Sequence, residues 1–415
     1  MKKSNESQKA STFLHRMPHT SSGSSAPAAG LLRLRRMANV FTVSVVTALI
    51  LGLSLWCLLA PKQSFSENEN RALAAWPSYS FTSLKDGTYM TGIQSYLSDH
   101  FPLRDQFMTL KTKFERLSGK EEINDIYLAK DGYLIEAYKE PTQNQKIITQ
   151  FQKLADAITT DAREHVRLML VPTAISTYNE KLPDGAPDKG VLRQVDTMNT
   201  LYAALPSMQR VDAWSALQAA ASAGDDALYY HTDHHWTTHG AYIGYQAYCE
   251  AAGIAPIPEE DFHETVVTED FHGTIYSKLH DSTVPGDRIT LYENPADQLS
   301  VSYPDTGEVT DTLYNRDYLA KKDKYSMFLN NLHPLVEITN TAADSDRQLV
   351  LIKDSYANSM VPFLAHHYAK IYVLDTRYYR FGPSSFIQEH PEVTDVLLLY
   401  NMNTIDTDLG IGGIF

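Results

Sequence analysis

Apolar residues form one long uncharged run within the first 60 residues, whereas in the rest of the chain they occur in short runs or at helical spacing. Residues 38–60 contain no charged side chain, and a helix of that length measures about 34 Å, which is enough to cross a hydrocarbon core of roughly 30 Å. Trp56 lies near one end, where an interfacial aromatic ring is favoured, and the other end is flanked by Arg33, Arg35 and Arg36. We therefore predict one transmembrane helix, with its N-terminus in the cytoplasm and the rest of the chain outside.

The segments on either side of this helix are polar. Residues 1–37 are rich in Ser, Thr, Ala, Gly and Pro, a composition typical of disorder, so we expect a disordered cytoplasmic tail. Residues 61–86 are polar and interrupted by prolines, which indicates a stalk or linker. A cleaved signal peptide is the competing interpretation of 38–60, but the run is long for that and has no small-x-small cleavage motif near its end.

The rest of the chain, residues 87–415, is predicted to form one extracytoplasmic α/β domain. Helical spacing of apolar residues predicts two helices over 87–119, interrupted at Pro102. An Asp-Gly pair between two β-rich runs predicts a hairpin over 125–138.

Further along, apolar runs alternate with helical spacing. Buried strands are predicted over residues 165–173, 347–355, 370–377 and 395–401, and helices over 146–164, 188–204, 238–252 and 356–369. Strands that alternate with helices indicate an α/β fold with a parallel sheet flanked by helices. The stretch 284–324 is polar and irregular, and we expect an inserted loop or a small substructure there.

Charge separates the two predicted sides of the membrane. Residues 1–37 carry a net charge of +6 and the whole chain carries −14, which leaves −20 for residues 38–415. An outer domain this acidic argues against the binding of nucleic acid through bulk electrostatics. The two cysteines, Cys57 and Cys249, lie far apart in the sequence, so no internal disulfide is expected.

The richest cluster of polar residues is the stretch HTDHHWTTHGAY, which begins at His231. Thr237 or Thr238 can cap the helix that follows, which leaves Asp233 and His235 in the loop before it. Alternate side chains of an extended loop point the same way. An aspartate that accepts from the Nδ1–H of a histidine leaves Nε2 free to act as a base. The spacing therefore predicts two members of a catalytic triad.

A nucleophile is predicted where a buried strand ends in the sequence Asp-Ser. A serine in a strand-to-helix turn exposes its Oγ and lies beside backbone amides that can stabilise an oxyanion. A second strand ends in LLLYNMNT, and a further asparagine-containing stretch is FLNNLHP. The candidate oxyanion donors, besides the amide of the serine itself, are the amide of Tyr356 and the side chains of Asn331 and Asn401. The predicted triad is Ser355, His235 and Asp233.

Two other interpretations of the histidine-rich stretch are open. His231, His235 and His239 are spaced to line one face of a helix and to bind zinc. A helix that begins only after residue 237 breaks that face, and no Glu or Cys is spaced as in the common zinc motifs. The stretch can also be a polar helix cap with buried histidines. We expect the triad, with no metal and no other cofactor.

These motifs resemble the signature of the DHHW protein family. They are also similar to the Asp-x-His-Trp motif of the SGNH-hydrolase-like domains in alginate O-acetyltransferase proteins. The segments 66–107, LAKDGYLIE and 349–379 resemble further blocks of the family, so the resemblance covers about 66–415. It implies an SGNH-hydrolase-like fold with a circularly permuted motif order, because the Asp-His pair precedes the serine.

Carried over by position, the resemblance makes Ser355 the nucleophile, His235 the general base and Asp233 the group that orients it. One departure is Lys353, which stands where ordinary SGNH hydrolases have a glycine before Asp-Ser. Substrate contacts are expected from residues in or near the motifs: Trp236, Arg377, Tyr378 and Tyr379.

The expected function is that of a membrane-anchored, extracytoplasmic serine O-acetyltransferase. It would modify a cell-surface polysaccharide or exopolysaccharide through an acetyl-serine intermediate. Acetyl-CoA stays in the cytoplasm, so the resemblance implies a multispanning membrane O-acyltransferase as the partner that supplies acetyl groups. Two alternatives share these sequence features, namely an O-acetylesterase with the same triad and a non-catalytic glycan-binding or scaffold protein.

Overall fold

In the computed structural model, residues 26–66, 71–159, 161–281 and 283–415 are described. The chain forms two compact units. One contains the N-terminal helix, and the other comprises Gln63–Asp99 and Leu103–Phe415. The second unit holds the large sheet and every predicted catalytic residue.

Helices and strands alternate along most of the second unit. The α-helices are α1 (Ala26–Leu59), α2 (Phe81–Lys85), α3 (Thr88–Asp99), α4 (Arg104–Leu117), α5 (Asn144–Ala157), α6 (Ala174–Thr177), α7 (Arg193–Ala204), α8 (Ala213–Ser222), α9 (Thr238–Ala252), α10 (Thr274–Leu279), α11 (Val361–Leu364) and α12 (Pro383–Glu389). The strands are β1 (Phe65–Ser66), β2 (Arg71–Ala72), β3 (Glu122–Ile123), β4 (Ile126–Leu128), β5 (Leu134–Glu136), β6 (Val166–Val171), β7 (Gln209–Arg210), β8 (His263–Phe271), β9 (Asp287–Glu293), β10 (Leu299–Tyr303), β11 (Glu308–Thr310), β12 (Leu335–Asn340), β13 (Gln348–Lys353), β14 (Lys370–Leu374) and β15 (Asp395–Asn401).

Helix α1 is long and apolar enough to cross a membrane over Gly30–Cys57, by its length and composition. It begins at Ala26, so the prediction of a disordered tail is wrong for residues 26–37. The leucines and arginines of that stretch are strong helix formers, and the helix therefore extends beyond the uncharged run. Residues 1–25 of the predicted tail lie outside the described residues.

The predicted stalk, residues 61–86, belongs to the second unit from Gln63 onwards. It contains the antiparallel pair β1–β2 and helix α2, which Ser80 caps in a reciprocal capping box. Arg71 forms an ion pair with Asp99 of α3, with 3.0 Å between Arg71 Nη1 and Asp99 Oδ2. Local composition does not reveal this structure, because the contact joins residues that are 28 positions apart.

The centre of the large sheet confirms the predicted strands. Strands β14, β13, β15, β6 and β7 lie side by side and run parallel. Nearly every residue of β6, β13, β14 and β15 is buried, so both faces of this part of the sheet are covered. Parallel strands end at one edge of a sheet, which is where ligands bind in open α/β folds. Ser355, Asp375 and Asn401 all lie at that edge.

The other part of the sheet is antiparallel, which the sequence pattern does not predict. Strands β12, β10 and β11 extend the sheet beyond β14, and β10 and β11 lie in the stretch 284–324 that is predicted to be irregular. Burial alternates along β12, as in a strand with one exposed face. Because the outward positions of such strands are polar, their sequences lack a continuous apolar run and resemble those of loops. A separate antiparallel ribbon, β8–β9, precedes them.

The predicted helix over 356–369 is replaced by three short segments. These are a 3₁₀ turn over Ser355–Ser359, then α11, and a second 3₁₀ turn over Ala365–His367. Pro362 has no amide hydrogen to bond back to the preceding turn, so a continuous helix is interrupted there.

Several local predictions are confirmed with small shifts in their ends. Helix α9 has the predicted bounds, and α3, α4 and the pair β4–β5 are the predicted helices and hairpin. Helix α5 ends at Ala157 and α7 begins at Arg193, so both are shorter than predicted. These elements place residues 231–237 of the histidine-rich stretch in the loop immediately before α9, and the rest of the stretch in its first turns.

Candidate active site

The Asp-His pair lies in a loop that folds back before α9. Tyr229 and Trp236 form an isolated antiparallel bridge at its base. Thr237 caps α9 by accepting from an amide of the first turn at 3.0 Å. The indole of Trp236 donates to the carbonyl of Tyr356 at 2.9 Å. The loop is thereby fastened to the turn that carries Ser355.

Ser355, His235 and Asp233 are joined by hydrogen bonds. His235 Nε2 is 2.8 Å from Ser355 Oγ, and His235 Nδ1 is 2.5 Å from Asp233 Oδ1. An ionised carboxylate can only accept, so Nδ1 carries the proton and Nε2 accepts from the serine hydroxyl. Asp233 is 4% and His235 is 5% exposed, so the pair is shielded from water. The three residues thus have the arrangement of a Ser-His-Asp triad.

The second carboxylate oxygen of Asp233 is held by α10. Oδ2 accepts from Thr274 N at 2.7 Å and from Thr274 Oγ1 at 3.0 Å. Gly273 allows this approach, because a Cβ there would lie 2.2 Å from the Cβ of Asp233. Burial alone would raise the pKa of Asp233, but His234, His235 and these hydrogen bonds hold that pKa well below its usual range. Asp233 therefore stays ionised at neutral pH.

Two rings lie against the imidazole of His235. Tyr325 stacks on it with 3.8 Å between ring centroids and 12° between the planes, and His234 lies 3.9 Å away with a tilt of 37°. The Tyr325 hydroxyl donates to the carbonyl of Ser355 at 3.0 Å, which fixes the stack to the turn that carries Ser355. Packing of this kind restricts rotation of the imidazole and keeps both ring nitrogens on their partners.

His234 separates the two predicted catalytic residues and has contacts of its own. Its Nδ1 lies 2.6 Å from Thr274 Oγ1, and 21% of its side chain remains exposed. Burial and the neighbouring His235 lower the pKa of His234 to about 4, so the ring is neutral near pH 7. A neutral ring adds no positive charge beside His235, which leaves His235 able to take the proton of Ser355.

Two predicted oxyanion donors are already engaged by Asp354. The amide of Tyr356 donates to Asp354 Oδ1 at 2.9 Å, and the side-chain amide of Asn401 donates to Asp354 Oδ2 at 2.7 Å. This corrects the prediction for both donors, because their hydrogens point to a carboxylate and not to the space beside the Ser355 hydroxyl. These two hydrogen bonds hold the carboxylate of Asp354 in place, and burial raises the pKa of that group.

The other predicted donors, the Ser355 amide and Asn331, are not engaged in this way. The Ser355 amide opens the 3₁₀ turn, and no acceptor for it is found among the described residues. Asn331 Oδ1 accepts from Ser326, next to Tyr325, at 3.1 Å. Residues 329–331 have φ values of 54°, 55° and 81°, a left-handed geometry that costs about 1–2 kcal/mol for a residue such as Leu329 and less for the two asparagines, whose short polar side chains tolerate it. Strain of this kind is typical of functional sites. Because neither the Ser355 amide nor Asn331 is engaged by Asp354, both stay predicted oxyanion donors.

The predicted aromatic substrate contacts lie in different environments. Trp236 is fully buried, so it supports the loop before α9 from inside and cannot line a cleft, which corrects that prediction. Tyr379 packs against the core, whereas Tyr378 is 43% exposed. Both tyrosines follow β14 at the carboxyl edge of the sheet, and their contact with a substrate stays a prediction.

Arg377, another predicted substrate contact, belongs to a buried ion cluster. Its Nε donates to Asp375 Oδ1 at 2.8 Å, and Lys353 Nζ lies 3.3 Å from Asp375 Oδ2. Burial raises the pKa of Asp375, but the two cations outweigh it and lower that pKa, while burial lowers the pKa of Lys353. The lysine that replaces the glycine of ordinary SGNH hydrolases therefore has a structural partner at the end of the neighbouring strand.

The histidine-rich stretch also has the composition of a metal site. Asp233, His234 and His235 place ligand atoms within 4.8 Å of one another. Hydrogen bonds already use both oxygens of Asp233 and both ring nitrogens of His235, which favours the triad over a metal-binding set. His231 and His239, the other histidines of the zinc alternative, each pair with separate carboxylates.

Comparison with known proteins identifies relatives of this fold. The model of the DHHW protein family matches residues 69–129 and 121–374. A DHHW family protein from Eubacterium siraeum DSM 15702 is similar, with 24% identity, a TM-score of 0.60, and coverage of 69% of this chain and 93% of that chain. Bacillus cereus PatB1 is similar with 19% identity, a TM-score of 0.54, and coverage of 68% and 97%. A comparison with curated proteins found no match.

Proposed function

The chain belongs to the DHHW protein family, and we propose that it is a membrane-anchored, extracytoplasmic serine O-acetyltransferase that modifies a cell-surface polysaccharide or exopolysaccharide. The observation that carries the proposal is the hydrogen-bonded series from Ser355 Oγ through His235 to Asp233. Bacillus cereus PatB1, which shares the fold, has been captured with a sulfonyl adduct, and sulfonyl reagents react with activated nucleophiles. The acetyl group and the polysaccharide rest on the resemblance to alginate O-acetyltransferase domains.

In the first step, Ser355 Oγ attacks the carbonyl carbon of an acetyl ester while His235 Nε2 takes the hydroxyl proton. The ionised Asp233 stabilises the imidazolium that forms. The Ser355 amide donates to the oxyanion of the tetrahedral intermediate. The bond from the acetyl carbon to the donor oxygen then breaks, His235 returns its proton to that oxygen, and Ser355 is left acetylated.

In the second step, a sugar hydroxyl takes the place of the departed alcohol. His235 removes its proton, the sugar oxygen attacks the acetyl-serine carbonyl, and the bond to Ser355 Oγ breaks as the proton returns to the serine. Water in the same position would release acetate and make the protein an O-acetylesterase. The nature of the acceptor therefore separates the two activities, because the triad serves both.

The location outside the cell follows from the interpretation of α1 as an anchor. Arginines lie at the N-terminal end of its apolar run, and the positive-inside rule places that end in the cytoplasm. A polymer outside the cell has no access to acetyl-CoA. The proposed enzyme therefore needs a membrane partner, of the multispanning O-acyltransferase type, that carries acetyl groups across the bilayer.

The test measures p-nitrophenol release from p-nitrophenyl acetate by the full chain in lipid nanodiscs. We compare the wild type with Ser355→Ala and with Ser222→Ala, which changes an exposed serine of α8. Turnover is expected to fall by at least about 10³-fold in Ser355→Ala and to be unchanged in Ser222→Ala. Equal rates in Ser355→Ala and the wild type would contradict the proposal.

The same samples then distinguish transfer from hydrolysis. Oligosaccharide fragments of cell-surface glycans are added as acceptors, and the products are followed by mass spectrometry. O-acetylated sugar that appears only with intact Ser355 supports the transferase. Acetate as the sole product with every acceptor supports the esterase.

A further inference from the structure

Helix α4 exposes an apolar stripe to solvent. Leu110, Phe114 and Leu117 are 61%, 71% and 86% exposed, and at about 100° per residue they lie within roughly 60° of one another around the helix. In a surface helix of a soluble protein, the apolar side chains normally face the core. A continuous stripe of large apolar side chains in solvent is typical of a contact surface.

The opposite side of α4 is the one that packs on the protein. Thr112 is buried, and its hydroxyl donates to the carbonyl of Leu279 in α10 at 2.5 Å. Arg116 forms an ion pair with Asp281, just beyond α10. The helix is therefore attached through its polar residues, and the apolar stripe is not part of the core.

Basic side chains flank the stripe. Lys111 and Lys113 are exposed and lie on either side of it, given about 100° per residue. The segment 62–120 carries a net charge of +2, whereas residues 121–415 carry −22. An apolar face with lysines at its margins is typical of a helix that lies in the headgroup region of an anionic membrane.

We propose that the α4 stripe lies in the headgroup region of the membrane that α1 spans, an inference that rests on the anchored topology of the proposed function. The connection from Leu59 to Gln63 reaches at most about 14 Å, so the second unit begins close to the bilayer. Three aromatic residues that precede α4 are also exposed, by 58%, 65% and 77%, and aromatic rings favour membrane interfaces. They are Trp76, Tyr79 and Phe81.

Helix α10 connects this surface to the active site. Its last residue, Leu279, accepts the hydrogen bond from Thr112 of α4, and its first residue, Thr274, holds Asp233. The proposed contact of α4 with the lipid surface would therefore hold the triad close to the bilayer. That position suits an enzyme whose acetyl donor arrives through the membrane.

The test uses the full chain in nanodiscs that contain anionic lipid. An environment-sensitive dye is attached to Leu117→Cys, in a Cys57→Ala background in which the remaining Cys249 is buried. A matched sample carries the dye at Ala219→Cys, an exposed position of helix α8. Nitroxide groups on the lipid acyl chains are expected to quench the dye at position 117 and not at position 219. The quenching at 117 is expected to disappear in Leu110→Glu/Phe114→Glu.

Equal quenching at the two positions, or quenching that survives Leu110→Glu/Phe114→Glu, would overturn the proposal. A dye at position 117 that is shielded in native membranes but solvated in pure lipid would overturn it in favour of a protein partner. The same samples are assayed with p-nitrophenyl acetate. Quenching without ester turnover contradicts the catalytic proposal alone, and turnover without quenching contradicts the membrane contact alone.

Discussion

The parallel and antiparallel parts of the second unit contribute different things to the active site. The parallel strands β13 and β15 lead into the Ser355 turn and Asn401, and their continuous apolar runs are visible in the sequence. The connections between the antiparallel strands supply two further residues: Thr274, at the start of α10 between β8 and β9, holds Asp233, and Tyr325, in the turn between β11 and β12, stacks on His235. The proposed triad residues lie in local motifs, whereas their alignment depends on contacts between distant segments.

The largest expected effect comes from Asp233, which is bonded to both His235 and Thr274. In Asp233→Asn, the amide no longer selects the Nδ1–H tautomer of His235, and kcat for p-nitrophenyl acetate is expected to fall by about 10⁴-fold. The thermal unfolding temperature is measured in parallel to show that the variant is folded. A loss smaller than about tenfold would mean that Asp233 does not orient His235.

A smaller effect is expected from Gly273→Ala, which tests the close approach of α10 to Asp233. The added Cβ would lie 2.2 Å from the Cβ and Oδ2 of Asp233, so the carboxylate must move. A displacement of this kind costs about 10²-fold in kcat. Gly185→Ala is the matched control, because a Cβ at that position meets no atom within 4 Å. Equal rates in the two variants would show that the approach of α10 to Asp233 is not needed.

Tyr325→Phe is expected to have a smaller effect again. The ring that stacks on His235 is kept, but the hydrogen bond to the carbonyl of Ser355 is lost. A loss of about 1 kcal/mol, or roughly fivefold in kcat, is expected. Tyr325→Ala removes the ring as well and should lose more. If the two variants lose the same activity, the hydroxyl carries the whole effect and the stack contributes nothing.

A further prediction, on stability and not on activity, concerns acid sensitivity. The pKa of His234 is about 4 in the folded protein, against a reference value of 6.5. Between these two pH values, His234 is protonated in the unfolded chain and neutral in the folded chain. His234 therefore contributes stability that is present above pH 6.5 and is lost as pH falls toward 4. Urea unfolding at several pH values should show a slope in this range of up to about 1.4 kcal/mol per pH unit. His234→Gln should remove it, and an unchanged slope would contradict the assignment.

The sequence predicts the parts of the fold and site that are encoded locally. The strands at the centre of the sheet, helix α9 with a cap at Thr237 or Thr238, and the Asp-His and Asp-Ser motifs can all be recognised from short stretches. Gly273, Thr274 and Tyr325 cannot, because they lie in polar stretches with no motif. Their partners are residues 30 or more positions away in the chain.

Two of the oxyanion predictions fail for a related reason. Tyr356 and Asn401 stand at the right strand ends, but their amides donate to Asp354. Sequence position shows which donors can reach the edge of the sheet. It does not show which acceptor each of them meets, because that depends on how neighbouring strands and turns pack.

The measurement that tests the central claim most directly is the location of the acetyl group on the protein. The full chain is mixed with p-nitrophenyl acetate, stopped with acid within the first turnovers, digested and mapped by mass spectrometry. Acetylation of the peptide at Ser355, absent from Ser355→Ala, is the expected result. Rapid ester turnover with no acetylated peptide, or with the acetyl group on another residue, would contradict the account.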